Sequence, residues 1–501
     1  MTPTIFLGPP GTGKTTTLIN VVQQALERGV PPDRIGYISF TRRAAQEAVD
    51  RACARFKQEK KDFPYFSTIH SLCYRQLGVR RGEVLEGAKL QEFAKYAGVR
   101  ITGRLSDDGT WNGFDLGDRV LFMENLARIR GQTLEQAYQQ EHDNLPWREV
   151  RRVAMALREF KQAHGLLDFT DLLQEFVRSG VRLNLSMLLV DEAQDLSHLQ
   201  WQVVQQVAQG CPDVSVAGDD DQAIYRWAGA DVDHLIEMQG DARVLGQSYR
   251  VPPAVQQLAN AIIGRVRHRR PKQWSARTGG QGLVGTAHEF AAADVSTGRT
   301  LVLARNAYVL KEQVEPELRR QGIIYEKNGH SSIGAGVLAG ITAWERLRRG
   351  EQVTAAEARD AYKWARAGRA VKRGHKQLPG FADEDMVSTE VLRQRGGLLL
   401  ETPWFDSLDM LPKDEIGYLR AARQRGEKLG SKPRVVVSTI HGSKGGEADH
   451  VVLLRDMAAR THREMLANPD DERRCWYVAV TRAKERLTVV DAQTNLRCPW
   501  V

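Results

Sequence analysis

The stretch Thr4-Ile5-Phe6-Leu7-Gly8-Pro9-Pro10-Gly11-Thr12-Gly13-Lys14-Thr15 decides how the rest of the chain is read. A short apolar, strand-forming run opens directly into a loop of glycines and prolines that ends in Lys-Thr. That is a complete P-loop. Its glycines let backbone N–H groups turn inward around a phosphate, and the helix that follows presents its positive end to the same point. Lys14 has the reach for the outer phosphates, and Thr15 the position to ligate Mg2+. Gly8, Pro9, Pro10, Gly11, Thr12, Gly13, Lys14, Thr15 and Thr16 are therefore the expected nucleotide-holding residues. Leu18, Val22, Ala25 and Leu26 share one side of the helix after the loop, and Gly29 stops it. The motif leaves open what the nucleotide is used for.

At 501 residues the chain has room for two to four domains. Its formal net charge of +9 points to a polyanionic partner, although charge alone does not separate nucleic acid from a merely basic surface. The five cysteines, Cys53, Cys73, Cys211, Cys475 and Cys498, contain no close pair of the zinc or redox type. They read as reduced, mostly buried thiols of a cytoplasmic protein. No apolar run approaches membrane-spanning length, and the N-terminal residues lead into a core strand without a basic leader. A soluble intracellular protein is expected.

Buried strands are expected at Ile35 to Phe40, Tyr65 to Ser67, Met187 to Val190 and Asp213 to Ala217, uninterrupted apolar runs being the mark of parallel strands covered on both faces. Between Arg80 and His164 the sequence is helical, charged and interrupted by glycine. A second α/β unit is expected from near Val244, with strands at Thr300 to Ala304, Val435 to Val437, Val451 to Leu454 and Leu487 to Val490. A helical, basic stretch interrupts it near Ile341 to Gly430. The inferred fold class is α/β, with two P-loop-type cores built on parallel sheets, each interrupted by a largely helical inserted subdomain. The expected bounds are 1–79 and 165–243 for the first core, 80–164 for its insertion, 244–340 and 431–501 for the second core, and 341–430 for its short basic insertion.

Val190-Asp191-Glu192-Ala193-Gln194-Asp195 puts two carboxylates just past the carboxyl end of a buried strand, where ligands gather in open parallel sheets. Asp191 would hold Mg2+ through water, and Glu192 would orient or deprotonate the attacking water. Farther along, in Gly218-Asp219-Asp220-Asp221-Gln222-Ala223-Ile224-Tyr225-Arg226-Trp227, Gln222 is a neutral group able to sense a γ-phosphate. Tyr225 and Trp227 offer flat faces of the kind on which unpaired bases stack.

With these residues in view, the sequence resembles the UvrD/PcrA/Rep-type superfamily 1A DNA helicases. Ile38-Ser39-Phe40-Thr41 is similar to motif Ia of that family, Thr68-Ile69-His70-Ser71 to motif Ib, and the Asp191 and Gln222 segments to motifs II and III. Leu167-Asp168-Phe169-Thr170-Asp171-Leu172 resembles the stretch that returns the chain to the first core. Gln247-Ser248-Tyr249-Arg250 looks like motif IV, Thr439 to Glu447 like motif V, and Tyr477-Val478-Ala479-Val480-Thr481-Arg482 like motif VI. The resemblance implies ATP and Mg2+ between two RecA-like cores, with Lys14, Thr15, Asp191, Glu192 and Gln222 from the first and Arg250 and Arg482 from the second. It further implies Tyr249 stacked on adenine and Glu447 on the ribose. Phe40, Thr41, His70, Tyr225, Trp227 and His441 would line a groove for single-stranded DNA. The implied activity is 3′-to-5′ translocation and helicase action at junctions of single and double strands, by a monomer or weak dimer without membrane attachment. A translocase that strips proteins from DNA and unwinds poorly is one alternative, a nucleotide-switched DNA-binding module another.

Three departures from the family pattern carry expectations. The glutamine that usually reads the adenine edge upstream of the P-loop has no room after Met1, so either the reading frame opens farther upstream or adenine is held by stacking on Tyr249. In the latter case the preference for ATP over GTP is mild. In the second insertion Lys363, Arg366, Arg369, Lys372, Arg373 and Lys376 form a basic run that reads as a duplex contact or as a solvated helix face, and Arg265 to Lys272 is a second such cluster. Met457 to Asp471, where relatives carry a strand-splitting hairpin, has no aromatic residue to act as a wedge.

Overall fold

The computed structural model describes residues 2–105, 111–113, 115–141 and 144–501; Met1 and the parts of the expected helical insertion at 106–110, 114 and 142–143 lie outside the described residues. The chain forms two compact units, Met1–Gln281 with Ala467–Thr481, and Gly282–Leu466 with Arg482–Val501.

The first unit is built on a six-stranded sheet of β1 (Thr4–Leu7), β2 (Ile35–Ser39), β3 (Phe66–Thr68), β4 (Met187–Asp191), β5 (Asp213–Gly218) and β6 (Asp241–Val244), in the order β3-β2-β4-β5-β1-β6. Every pairing is parallel. Both faces are covered, which is why the inner strands read as unbroken apolar runs. Leu18, Val22, Ala48 and Phe63 pack against one face; Leu172, Phe176, Trp201 and Val204 pack against the other. Register sets the chemistry, because Leu7 lies beside Gly218 and Ser39 beside Asp191. The loops that leave the carboxyl ends of β1, β4 and β5 therefore meet.

The insertion in this unit is helical as expected, with Ala88–Tyr96, Leu116–Ile129, Leu134–Glu141 and Trp147–His164 around their own core of Phe93, Met123, Val153, Leu157 and Phe160. A two-stranded ladder, Arg104–Leu105 with Trp111–Asn112, is an addition the apolar pattern did not announce. Asp168 caps the helix Phe169–Ser179 by accepting from Asp171 N at 2.8 Å. Arg128 and Lys161 of the insertion reach the same cap, at 2.7 Å and 2.6 Å from Asp168 Oδ2. Burial alone would raise the Asp168 carboxyl, yet these two cations hold it well below the usual carboxylate range.

The second unit has a seven-stranded sheet of β7 (Leu283–Ala287), β8 (Thr300–Ala304), β9 (Tyr325–Lys327), β10 (His330–Ser331), β11 (Val435–Thr439), β12 (Ala448–Leu454) and β13 (Ala483–Val490), ordered β10-β9-β11-β8-β12-β13-β7. Only the outermost pair, β9 with β10, is antiparallel. Its insertion has helices at Ala335–Arg348, Ala355–Trp364, Thr389–Gln394, Trp404–Ser407 and Lys413–Gln424, and a separate core that includes Trp344, Tyr362, Trp404 and Leu419.

Residues near Val244 were expected to open the second unit. Instead Asp241–Val244 adds an edge strand to the first sheet, parallel to β1, and residues 245–281 together with the helix Pro469–Val480 belong to the first unit. The edge strand is exposed along its whole length, so Asp-Ala-Arg-Val carries no apolar signal. Among the described residues no helix is long and apolar enough to cross a membrane.

Candidate nucleotide site

The loop between β1 and the helix Lys14–Glu27 takes its shape from glycine. Gly11 and Gly13 have φ of 74° and 81°, in the left-handed region that side chains disfavour. A Cβ on Gly11 would stand 2.4 Å from Arg250 Cβ and 3.1 Å from Arg250 N, so the approach of that segment to the loop requires glycine. Gly13 occupies the cap position and supplies no capping side chain, which leaves the first N–H groups of the helix directed at the loop. Lys14 Nζ donates to Gly8 O at 3.0 Å, and Thr12 Oγ1 to Pro9 O at 2.8 Å.

Asp191, at the end of β4, is 1% exposed and gathers donors from three directions. Thr15 Oγ1 donates to its Oδ2 at 3.0 Å and Tyr37 OH to the same oxygen at 2.6 Å, while Glu192 N donates to Oδ1 at 2.9 Å. Burial raises the Asp191 carboxyl first and Glu192 second; Tyr37, Lys14 and Thr15 offset part of that, and the net direction is up. The Tyr37 hydroxyl is itself held well above its usual range by burial and by Asp191. Glu192 has φ 53°, a left-handed setting that costs a β-carbon-bearing residue about 1 kcal/mol.

From Glu192 a line of hydrogen bonds leads to the next loop. Gln194 Nε2 donates to Glu192 Oε2 at 2.5 Å, its Oε1 accepts from Asp219 N at 2.9 Å, and Gln222 Nε2 donates to Asp219 Oδ2 at 2.7 Å. The two residues singled out in sequence as base and sensor are thus joined through two that were not. Tyr37, Gln194 and Asp219 were all missed. The one available signal was Tyr37, a hydroxyl inside the otherwise apolar run of β2.

The donors around Thr15 and Asp191 are a hydroxyl and carboxylates, the hard oxygen set that suits Mg2+. Among the described residues no group of three or more His, Cys, Asp or Glu forms a self-sufficient metal cage. A cation that shares its shell with nucleotide phosphates needs fewer protein ligands, so the residues present fit that group.

Ser248 Oγ donates to Pro10 O at 2.7 Å and Tyr249 N to Gly11 O at 2.8 Å, which docks the Gln247-to-Arg250 segment on the P-loop inside the first unit. Arg250, expected from the second core, therefore lies in the first. Tyr249 is 76% exposed, its ring open to solvent beside the loop. Arg482, Glu447 and His441 belong to the second unit. There Arg482 Nη1 donates to Gly446 O at 3.2 Å, and Glu447 pairs with Lys484 at 2.6 Å.

The residues read as strand-binding divide by exposure. Trp227 is 45% exposed and stacks on Phe122 with ring centres 6.3 Å apart. Phe40 is buried, its ring 5.8 Å from Tyr225, and so contributes support more than open surface. His70 meets Phe169 edge-on at 6.0 Å and lines a cavity of about 1050 Å³ with Arg42, Arg75 and Leu121. Burial, then Arg42, pull the His70 imidazole down to about 4, so it is neutral near pH 7. Thr41 caps the helix Arg42–Phe56 by accepting from Ala44 N at 3.2 Å. The basic cluster before Gln273 divides: Arg269 and Lys272 turn inward and pair with Asp221, while Arg265 and Arg267 stay exposed. In the second insertion Arg366 and Arg369 pair with Asp409.

Two parallel sheets in RecA-like units, one carrying a Lys-Thr P-loop beside a buried strand-end carboxylate, define the class of the RecA-like P-loop proteins. Within it the chain belongs to the UvrD/PcrA/Rep-type helicase family. Residues 1–243 match the UvrD/REP helicase N-terminal domain and residues 434–490 the UvrD-like helicase C-terminal domain. The ATP-dependent DNA helicase PcrA of Leuconostoc citreum is 27% identical over 288 residues, covering 54% of this chain and 38% of that protein. PcrA of Bacillus subtilis (strain 168) is 23% identical over 361 residues, 66% of this chain and 46% of the relative. PcrA of Staphylococcus aureus (strain Mu50 / ATCC 700699) is 25% identical over 304 residues, 56% and 40%. The chain thus spans less than half the length of these curated relatives.

Proposed function

We propose that this protein is an ATP-driven, 3′-to-5′ single-strand DNA translocase with helicase activity, working in the cytoplasm as a monomer or weak dimer. The observation that carries the reading is the hydrogen-bonded line from Thr15 through Asp191 and Glu192 to Gln194, Asp219 and Gln222. It joins a phosphate loop, a carboxylate able to act as base and an amide able to sense a phosphate, which is more than a nucleotide-switched binding module requires.

In this reading ATP is hydrolysed where the two cores meet. Lys14 and Arg250, with Arg482 from the second core, neutralise charge that spreads over the γ-phosphate oxygens in a loose transition state. Glu192 orients and deprotonates the attacking water. Thr15 and Asp191 would hold Mg2+, which when bound would supply charge neutralisation on the phosphates. Tyr249, open to solvent, stacks on the adenine without reading its edge, and the preference for ATP over GTP is accordingly mild. Glu447 bonds the ribose. DNA passes over Thr41, His70, Tyr225, Trp227 and His441, with buried Phe40 packed against Tyr225 in support, and backbone contacts make binding strongly salt-dependent. The 3′-to-5′ assignment rests on the likeness of Asp220 to Tyr225 to that branch of the family. The helical insertions are proposed at 80–164 and 341–430, with the division between the cores after residue 281 and not near 244; the basic run of the second insertion is either a duplex contact or a solvated helix face.

A second reading, a translocase that displaces proteins and unwinds poorly, is favoured by one feature. Where relatives place a strand-splitting hairpin, this chain has the helix Ala459–Ala467, without an aromatic residue from Met457 to Asp471. Unwinding of duplexes with 3′ or 5′ tails, alongside ATP turnover with and without single-stranded DNA, tests both. Turnover stimulated by DNA with unwinding only from 3′ tails supports the first reading, and stimulation without unwinding supports the second. Turnover indifferent to DNA removes the motor altogether. Trp227→Ala should lower DNA-stimulated turnover about tenfold and leave nucleotide affinity unchanged, in line with the worth of one stacked base.

A further inference from the structure

Asp219, Asp220 and Asp221 are consecutive and all but fully buried. Three adjacent carboxylates out of water persist only if cations and donors meet them. Lys272, whose side chain is 1% exposed, does most of this: its Nζ lies 3.2 Å from Asp219 Oδ1 and 3.0 Å from Asp221 Oδ2, and pairs more closely with Asp220. Arg269 Nε donates to Asp221 Oδ1 at 2.7 Å, and Arg270 N to Asp220 Oδ2 at 2.9 Å. Arg474, on the helix Pro469–Val480, donates from Nε to the Asp220 carbonyl at 3.0 Å and from Nη2 to His268 O at 2.6 Å.

The two oxygens of Asp219 have different tasks. Oδ1 faces Lys272 and accepts from Asp221 N at 3.2 Å; Oδ2 accepts from Gln222 Nε2 at 2.7 Å. The ammonium group therefore sets the plane of a carboxylate whose other oxygen sets the direction of the glutamine amide. Gln194 holds the backbone N–H of the same aspartate and ties it to Glu192.

We infer that Lys272 is a positioning residue for Gln222, acting through Asp219, and that it locks the sensor loop, segment 265–272 and the helix Pro469–Val480 into one block. The inference rests on the reading of Gln222 as a γ-phosphate sensor. Its consequence is directional. That helix ends at Val480, and the chain passes through its cap Thr481 directly to Arg482, so a change felt at Gln222 is passed by way of the Lys272 cluster to the stretch of chain that carries Arg482.

The test is a double-mutant cycle on the full chain, with single-stranded DNA present and nucleotide affinity read by a fluorescent ATP analogue. Lys272→Met should lower kcat at least thirtyfold while KM and analogue affinity stay within threefold, and Lys272→Arg should recover most of the loss. In a Gln222→Ala background Lys272→Met should cost less than a further threefold, because its route is already cut. Asp219→Asn offers the same test without leaving carboxylates unneutralised. Its amide nitrogen would face Gln222 Nε2, and kcat should fall about tenfold, again only when Gln222 is present. Multiplicative losses in the double variants, or full kcat in Asp219→Asn and Lys272→Met while Gln222→Ala alone is slow, would overturn the inference and leave the sensor standing. Full kcat in Gln222→Ala alone would remove the sensor and the inference together.

Discussion

The two parallel sheets of this chain are close in architecture and opposite in chemistry. In the first, β1 ends in Gly8 and the P-loop, and the neighbouring strand ends deliver Asp191, Glu192 and Asp219 into one buried polar line. In the second, the central strand β8 runs from Thr300 to Ala304 and continues through Arg305-Asn306 into a helical stretch beginning at Ala307, with no glycine in the turn. Asn306 there does structural work: its Nδ2 donates to Thr461 Oγ1 at 3.0 Å and its Oδ1 accepts from Ala458 N at 2.8 Å. A parallel sheet with helices on its faces offers a place for a ligand; the loop composition decides whether anything can be held.

The largest test of that contrast exchanges one residue in each turn. Lys14→Ala should reduce ATP turnover about a thousandfold, the upper range for loss of one charge-stabilising group. Asn306→Ala should leave turnover within about twofold and lower stability by about 1–2 kcal/mol, as expected when two half-buried hydrogen bonds are lost. Steady-state turnover and thermal melting of both variants check this. A slow Asn306→Ala enzyme with an unchanged melting point would mean that the second turn takes part in chemistry.

Next in size is the bridge between loops. Gln194→Ala removes the amide that holds both Glu192 Oε2 and Asp219 N, and it leaves Asp219 N–H buried without that acceptor. On the proposed roles, kcat should fall about thirtyfold with KM for ATP nearly constant, the loss then concerning the orientation of Glu192 and not ground-state binding. A rise in KM at constant kcat would place Gln194 in nucleotide binding instead.

Each unit also holds a desolvated histidine, half-buried His70 in the first and buried His450 in the second, which separates folding from function. His70 in the first unit and His450 in the second are both brought down to about 4, by burial first and by Arg42 or Arg486 second. Their unfolded values lie near 6.5, so between about pH 6.5 and pH 4 the unfolded chain binds more protons and stability rises with pH. The contribution is complete above pH 6.5 and lost as the pH falls towards 4. For His450, which accepts or donates at 2.9 Å to Thr488 Oγ1, about 1–2 kcal/mol is expected after allowance for partial solvation. Melting curves at pH 7 and pH 5 for His450→Asn should show the acid loss reduced. An unchanged acid slope would place the sensitivity elsewhere.

What sequence could reveal follows from what each element needs. The inner strands need apolar residues on both faces, so β1, β2, β4, β8 and β12 stand out. The glycine loop and the Asp-Glu pair need fixed residue types at short spacing, and these too are visible. The edge strands β6 and β7 need neither: Asp241–Val244 is exposed throughout, and Leu283–Ala287 is interrupted by Gly285. Lys272 was unreadable for another reason. In sequence it sits in a run of exposed-looking cations, and only the fold brings it against aspartates about fifty residues upstream.

Tyr37 gives the smallest and sharpest test. Its hydroxyl reaches Asp191 Oδ2 beside Thr15, while its ring stacks on Phe66 at 5.2 Å, a packing contact that phenylalanine preserves. Tyr37→Phe should therefore change stability by about 1 kcal/mol or less, the net worth of one hydrogen bond. If the hydroxyl holds the Asp191 carboxylate in the orientation that meets the cation, half-saturating Mg2+ should rise about tenfold with kcat at saturation unchanged, the lower end of what losing one outer partner of a metal ligand costs, since Thr15 and the Glu192 N–H remain. A fall in the Mg2+ requirement would show that the hydroxyl competes with the cation for the same oxygen, and Tyr37 would then act as a brake on the site and not as its support.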